Sequence, residues 1–434
     1  MASPIPVISR ELDLTEYKGI QPGKSRRISV FPDNATSYNS SSSTADVFFS
    51  IPAVRNGFCI TSASQIVFDI TANATFASDP ILSLSNGNGS SVIQALETIV
   101  QNASVSNLLN YNVYANLLAD LQPLGRSATA GSILNGAAST VKAGVKLNSA
   151  TSGADGTTIR CAIPLHCPVL GMGAEQFAPL VDGIRLRMTM ATTATALTYG
   201  NVTLPTAAQY KISNFAIQLE VMDVDAGTMG ALIAQSGGVL KQHCTAVNNY
   251  QATIQAAAAN SVLIPARFSS VKALMTCFRL SANLAAPETE NVVGDRVLPQ
   301  IQTYQWNVDG QNIPSVPVRV AASNTVAYPG EVLSEIMKVF SASNQTAFDC
   351  VFNAAQFSDV AGTSGTGSFF IANNFEMQDS AGHALLSGRD LNSSNVYLNL
   401  THYTTALACV VDTFALYDVV LSYNMADGSV SMSK

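Results

Sequence analysis

Charge is what this sequence has least of. Asp, Glu, Lys and Arg make up 12% of its 434 residues, against roughly a quarter in an ordinary soluble domain. Ala, Ser, Thr and Asn stand where Lys and Glu usually do, and mean hydropathy is +0.22. A lone monomer relies on surface charge to stay dispersed. So weak a surface implies faces covered by other subunits, or faced with small polar groups. The net charge of −7 argues against nucleic-acid binding by bulk electrostatics.

Long apolar runs are missing too. No stretch reaches the roughly eighteen uninterrupted apolar residues of a membrane-spanning helix. The first twenty residues have no continuous apolar core, so no signal peptide is expected. The seven cysteines (59, 161, 167, 244, 277, 350, 409) are odd in number and sit mostly inside apolar strings. They are expected to be buried free thiols of a reducing compartment rather than a disulfide scaffold. The sequons at Asn73 and Asn201 then carry no meaning, because acceptors matter only in secreted chains.

Catalytic signatures are absent in turn. There is no G-x-S-x-G, Walker loop, H-E-x-x-H or G-x-G-x-x-G. Cys161, His166 and Cys167 lie close together, but no second Cys pair completes a zinc site, and Ile163, Pro164 and Leu165 read as a core strand leaving through a turn. His243 and Cys244 are neighbours on one strand and point to opposite faces. His383 and His402 sit in polar, loop-like stretches. Asn86-Gly87-Asn88-Gly89 lacks the later glycine and lysine of a phosphate loop and reads as a turn. Asp223 and Asp225, two apart on a strand, are too few oxygens for calcium. Glu331, Glu335 and Lys338 decorate a helix surface. We therefore expect no catalytic residues, no metal, no cofactor and no enzyme.

What is present is strand texture. In 409–424, Val411, Phe414, Leu416, Val420 and Tyr423 are interspersed with Asp412, Thr413, Asp418 and Ser422. That composition predicts a strand with one face packed and one partly wet, the two aspartates lying on the wet side. Ile184, Leu186, Met188 and Met190 alternate with Arg185, Arg187 and Thr189, the cleanest two-residue period in the chain. The run from Trp306 to Gly310 ends in Asp-Gly, which is hairpin chemistry. Pro314 and Pro317 confine the following segment to a sheet edge or a connecting arm. Residues 261–287 are ambiguous: Val271, Leu274, Met275 and Phe278 fit a helix, while Val271, Ala273, Met275 and Cys277 fit a strand. The three-to-four spacing in 91–121 predicts one or two helices across the edge of a sandwich, ended before Pro123 and Gly125. Another helix is expected over Glu331–Ser341. Residues 126–158, rich in Ala, Ser and Gly, read as a long functional or interface loop.

In chain order, 1–44 is an arm, 45–225 a first β unit, 226–247 a linker with a helix from about Met229 to Gln235, and 248–434 a second β unit. Length alone favours two such units over one core. Lys24, Arg26 and Arg27 in the arm are candidates for an anionic contact, although a basic cluster is more often a solvated face. Arg185 and Arg187 invite the same comparison, and a wet or intersubunit face fits them better.

The order of landmarks also carries a resemblance. It rests on 45–70 (ADVFFSIPAVRNGFCITSASQIVFDI), 107–122 (NLLNYNVYANLLADLQ), 181–191 (VDGIRLRMTMA), 213–225 (SNFAIQLEVMDVD), 263–279 (LIPARFSSVKALMTCFR) and 304–318 (YQWNVDGQNIPSVPV). The tail adds 369–379, 385–400 and 412–424. Together they resemble the double jelly-roll major capsid proteins of icosahedral DNA viruses, in the virophage and Polinton-like group, over about 45–425. The resemblance implies an all-β chain of two consecutive eight-stranded antiparallel jelly-roll sandwiches with short helical insertions. It further implies homotrimeric pseudo-hexagonal capsomers tiling an icosahedral shell, and a place in the virion after assembly inside the host cell. Partners would be copies of the same chain, with minor capsid or penton proteins, and genome or internal membrane touched by the arm. The surface towers of larger relatives would shrink here to loops in 126–158 and 341–368. The rival readings are a single jelly-roll coat protein with a projecting domain, and a non-viral carbohydrate-binding or adhesion module. An exposed aromatic trough would favour the latter, but Trp306 is the only tryptophan.

Overall fold

The computed structural model describes residues 24–54, 56–76, 79–122, 131–135, 144–171, 177–199, 207–285, 291–339, 350–359, 367–376, 388–425 and 428–434. In the first half the strands are β1 (Lys24–Val30), β2 (Tyr38–Asn39), β3 (Asp46–Ser50), β4 (Gly57–Asn73), β5 (Leu82–Leu84), β6 (Ile93–Val100) and β7 (Ala103–Leu108). Helix α1 (Tyr111–Asp120) precedes β8 (Ile159–Pro164), β9 (Phe177–Pro179), β10 (Ile184–Met190), β11 (Leu197–Tyr199) and β12 (Gln209–Asp223). Two sheets result, in the orders β1-β12-β4-β8 and β3-β10-β6-β7. β2 adds to β12 and β9 to β4, while β5 and β11 form a separate ribbon.

Helix α2 (Ala226–Gln235) leads to the second half. Its strands are β13 (Val239–Ile254), β14 (Ala259–Ile264), β15 (Val271–Leu280), β16 (Ile301–Val308), β17 (Gln311–Arg319), β18 (Ala321–Ser323) and β19 (Val326–Ala327). After α3 (Pro329–Met337) come β20 (Phe370–Asn374), β21 (Val396–His402), β22 (Cys409–Asn424) and β23 (Val430–Ser433). The sheets are β13-β22-β15-β20 and β14-β21-β16-β17, with β23 beside β22 and a small β18–β19 ribbon.

Apart from the small additions, each half has eight main strands. In both halves the first, eighth, third and sixth form one sheet, and the second, seventh, fourth and fifth form the other. Every pairing between them is antiparallel. That winding is a jelly roll, and it occurs twice. The expected all-β architecture stands, and a single jelly roll with a projecting domain does not.

Local chemistry explains most strands. β10 buries Ile184, Leu186, Met188 and Met190 and exposes Arg185 and Arg187, as its alternation predicts. Asp309 and Gly310 both have positive φ, 51° and 83°, which a two-residue type I′ hairpin between β16 and β17 requires. β17, with Pro314 and Pro317, occupies a sheet edge, where a missing amide costs no ladder bond. The ambiguous 261–287 resolves into β14, β15 and a short helical turn over Ser281–Ala285. Trp306 is fully buried.

Three expectations fail. Residues 93–108 are the β6–β7 hairpin, Ser91 and Val92 end a 3-10 turn, and only Tyr111–Asp120 is α-helical. Val92, Leu96 and Val100 are four apart, a spacing that a strand's even period satisfies as well as a helix does. The first sheet starts at 24 rather than 45: β1 takes its outer place, Lys24 facing Asp223 and Val30 facing Ile217 in register. KSRRISV hides as a strand because nearly all of it is exposed. The second sandwich likewise starts inside the expected linker, at Val239. Residues 1–23, His383 and Asn201 lie outside the described residues, as do 126–130, 136–143, 341–349 and 360–366 of the two expected tower loops.

The buried apolar side chains of both sandwiches form one continuous cluster. Phe49 and Phe68 meet Phe215 edge-on in the first half, at 5.2 and 6.0 Å. Phe268 stacks on Tyr417 at 3.6 Å in the second.

Candidate assembly site: the seam and the outer faces

The two sandwiches meet along a seam that is polar as well as apolar. β22 is buried along most of its length, and α1 lies against it, with Tyr114 and Phe414 rings 5.2 Å apart. Asp412, fully buried, accepts from Asn110 Nδ2 at 2.6 Å across the seam. Gln251 Nε2 at 3.2 Å and the Arg279 guanidinium at 2.7 Å complete its shell. At the end of α1, Asp120 pairs with the fully buried Arg296 of the second half. Asn291 donates to Asn86 at 2.7 Å, Tyr417 Oη to the Val105 carbonyl at 2.9 Å and Gln242 Nε2 to the Val169 carbonyl at 2.9 Å. A buried charge is tolerated only when paired and hydrogen-bonded, so these contacts define one relative placement of the halves.

Neither Asp412 nor Asp418 sits on a wet face, contrary to expectation: both are fully buried. Asp418 accepts from His243 Nε2 at 2.8 Å and Ser270 Oγ at 2.6 Å, and Lys272 Nζ lies 3.1 Å away. Burial alone would raise its pKa. The His243 and Ser270 hydrogen bonds and the Lys272 charge outweigh that and hold the carboxyl below its usual value. Serine, histidine and aspartate thus meet, but both partners bond the carboxylate, and the arrangement supplies no serine–histidine bond to activate a nucleophile.

The residues considered for chemistry are dispersed. Among the described residues no group of three or more His, Cys, Asp and Glu could hold a metal ion. Burial pushes the Cys161 thiol up to about 12 and the Cys59 thiol to about 11, which makes them poor nucleophiles. His402 is buried rather than loop-exposed, with Nδ1 2.9 Å from the Pro299 carbonyl. Asp225 caps α2, accepting from Gly227 and Thr228 amides. Asn86 to Gly89 lies across two buried 3-10 turns, Ser85–Gly87 and Gly89–Val92.

Lys24, Arg26 and Arg27 stand together on β1. Arg26 Nε lies 2.9 Å from Asp223, and Arg27 Nε 3.8 Å from Glu220, on the neighbouring β12. An anionic contact there competes with acids of the same sheet. Exposed pairs of this kind contribute about 0–1 kcal/mol each. Replacing Arg26 and Arg27 with alanine together is expected to leave the chain folded, with a urea midpoint nearly unmoved. A collapse of the folded state would show β1 depends on them.

Outward, the two sandwiches differ. On the first, Arg187 sits between Asp46 at 2.7 Å and Glu97 at 3.6 Å. On the second, the corresponding sheet carries amides and hydroxyls: Ser261 bonds Asn399 and Asn307 bonds Asn312, each at 2.7 Å. Beside them Leu263 and Tyr397 face each other in register, 50% and 37% exposed. Phe48 on edge strand β3 and Val316 on edge strand β17 are exposed as well.

Two jelly rolls in tandem, fused through a buried seam, define a double jelly-roll protein. No protein-family model matches the sequence, and no curated protein does. Solved structures do. The chain is similar to PBCV-1 VP54 as fitted into a reconstruction of the virophage Sputnik, at 11% identity and TM-score 0.62, covering 96% of this chain and 98% of that one. A chain of the Sputnik virophage cryo-EM structure matches at 11% identity and TM-score 0.59, over 100% and 93% of the two chains. The Faustovirus major capsid protein matches at 10% identity and TM-score 0.59, over 94% and 92%. The fold of this chain is therefore the double jelly roll of these viral proteins.

Proposed function

We propose that this chain is a viral major capsid protein, three copies of which form a pseudo-hexagonal capsomer. The observation that carries the reading is the same eight-strand winding repeated within one chain. Two equivalent walls per chain become six around a three-fold axis, a shape that tiles a surface without gaps. The double jelly roll shared with the Faustovirus major capsid protein supports the role, and the weak surface charge supports burial of flanks between copies. The Leu263–Tyr397 pair and its uncharged surroundings suit such a flank. Obligate interfaces commonly exceed about 2,000 Å² in total, and repetition over a shell makes individually weak contacts sufficient. The virion is then its location, and further copies of itself its main partners. Trp306, buried in the second core, offers nothing to a carbohydrate-binding reading.

Light scattering on a size-exclusion column is expected to give a trimer or a larger particle at micromolar concentration, and negative-stain images hexagonal outlines. A stable monomer under those conditions would remove the proposal.

A further inference from the structure

Helix α2 is the odd surface of this molecule. Met229 is its one buried residue, Leu232 is 40% exposed, and no charged residue occurs from 226 to 240. α1 is almost wholly buried, and α3 carries Glu331 and Glu335. A ten-residue helix with glycines at 227 and 230 has little intrinsic stability in water, and the Asp225 cap supplies only part of it. Such a helix needs a cover.

We infer that the N-terminal residues 1–23 of the same chain dock on α2, placing Ile5, Val7 and Ile8 against Leu232 and Ile233. The point where that segment joins the sheet carries the inference. Lys24 is paired in register with Asp223, two residues before the cap of α2. The pairing is antiparallel, so the chain preceding Lys24 leaves the sheet at the end where α2 begins. Val7 and Lys24 are seventeen positions apart, a span of up to about 55 Å when extended, whereas α2 is only about 15 Å long. Closing so short a tether costs little beyond what the chain has already lost by entering β1. The chemistry matches: the first nine residues carry no charged side chain, and Pro4 and Pro6 favour the extended form that lies along a helix. The charged residues Arg10 to Lys18 serve as the solvated spacer.

Hydrogen exchange read by mass spectrometry on the full-length chain tests this, comparing wild type with Val7→Asp/Ile8→Asp. Amides of 226–238 are expected to exchange about tenfold faster or more in the variant, the loss expected for two aliphatic contacts. Amides of β12 and β13 should not change, and wild-type protection should survive tenfold dilution. Leu232→Ser, altered on the helix side, should speed exchange in the N-terminal segment. Equal α2 exchange in wild type and variant would overturn the inference. So would protection that fades on dilution, which assigns the cover to a neighbouring copy, or that appears only with phosphatidylglycerol vesicles, which assigns it to lipid.

Discussion

Replacing Asp412 with alanine is expected to lower the stability of the chain by about 3–5 kcal/mol, the usual cost of removing one partner from a buried ion pair. The Arg279 guanidinium, 8% exposed, would keep only the Val292 carbonyl at 3.2 Å among its named contacts. Asn110 would lose its 2.6 Å acceptor, and with it a link between the two sandwiches. Urea unfolding at fixed protein concentration, followed by far-ultraviolet circular dichroism, measures the loss. Two companion variants separate charge from shape. Asp412→Asn keeps an acceptor in place and should cost less. Asp412→Ala combined with Arg279→Met should recover much of the loss, because the unpaired charge is gone. A shift below about 1 kcal/mol for the single alanine variant would mean the pair is hydrated and the seam rests on apolar contact alone.

That seam was the part least legible in the sequence. Alternation along β10, the Asp-Gly hairpin before β17 and the prolines that follow it are local signals, and each led to its element. Asp412 and Asp418 are local signals too, but periodicity shows only that a residue interrupts an apolar strand, not whether its face meets water or another sandwich. Their partners lie far away in sequence: Asn110, Arg279, His243 and Lys272. The basic residues inside β15, an apolar strand, were the available hint that the acids of β22 would be matched. β1 and β6 failed for different reasons. The first is amphipathic in neither period because its surface is exposed, and the second has a four-residue spacing that two kinds of element share. Assembly contacts leave a still fainter trace, since an outward amide-rich face such as that around Asn399 looks the same whether it meets solvent or a sister chain.

Acid is expected to weaken the fold well before its carboxylates protonate, through His166. Its ring stands beside Tyr111 and Tyr114 at 6.0 and 6.1 Å, and Tyr114 in turn touches Phe414 across the seam. Burial pulls the imidazole down to about 4. The unfolded chain, with histidine near its ordinary value of about 6.5, takes up a proton that the folded chain refuses. Stability is then fully present above pH of about 6.5 and falls as pH drops through that value, levelling off below about 4. The shift corresponds to roughly 3 kcal/mol as an upper figure. Part of the His166 surface still reaches solvent, so a loss of about 1–3 kcal/mol is the expectation. His402, lowered by burial despite its contact with the Pro299 carbonyl, adds a loss of the same sign. Asp418 acts in a lower window: its carboxyl is held below the usual value, so its contribution persists until pH falls past its folded pKa. Urea midpoints between pH 7.5 and about 4.5 should therefore decline in wild type and decline less in His166→Phe, which keeps an aromatic ring beside the two tyrosines. Equal slopes in the two proteins would show that His166 gains its proton without loss of packing, and that α1 is not the acid-sensitive contact between the sandwiches.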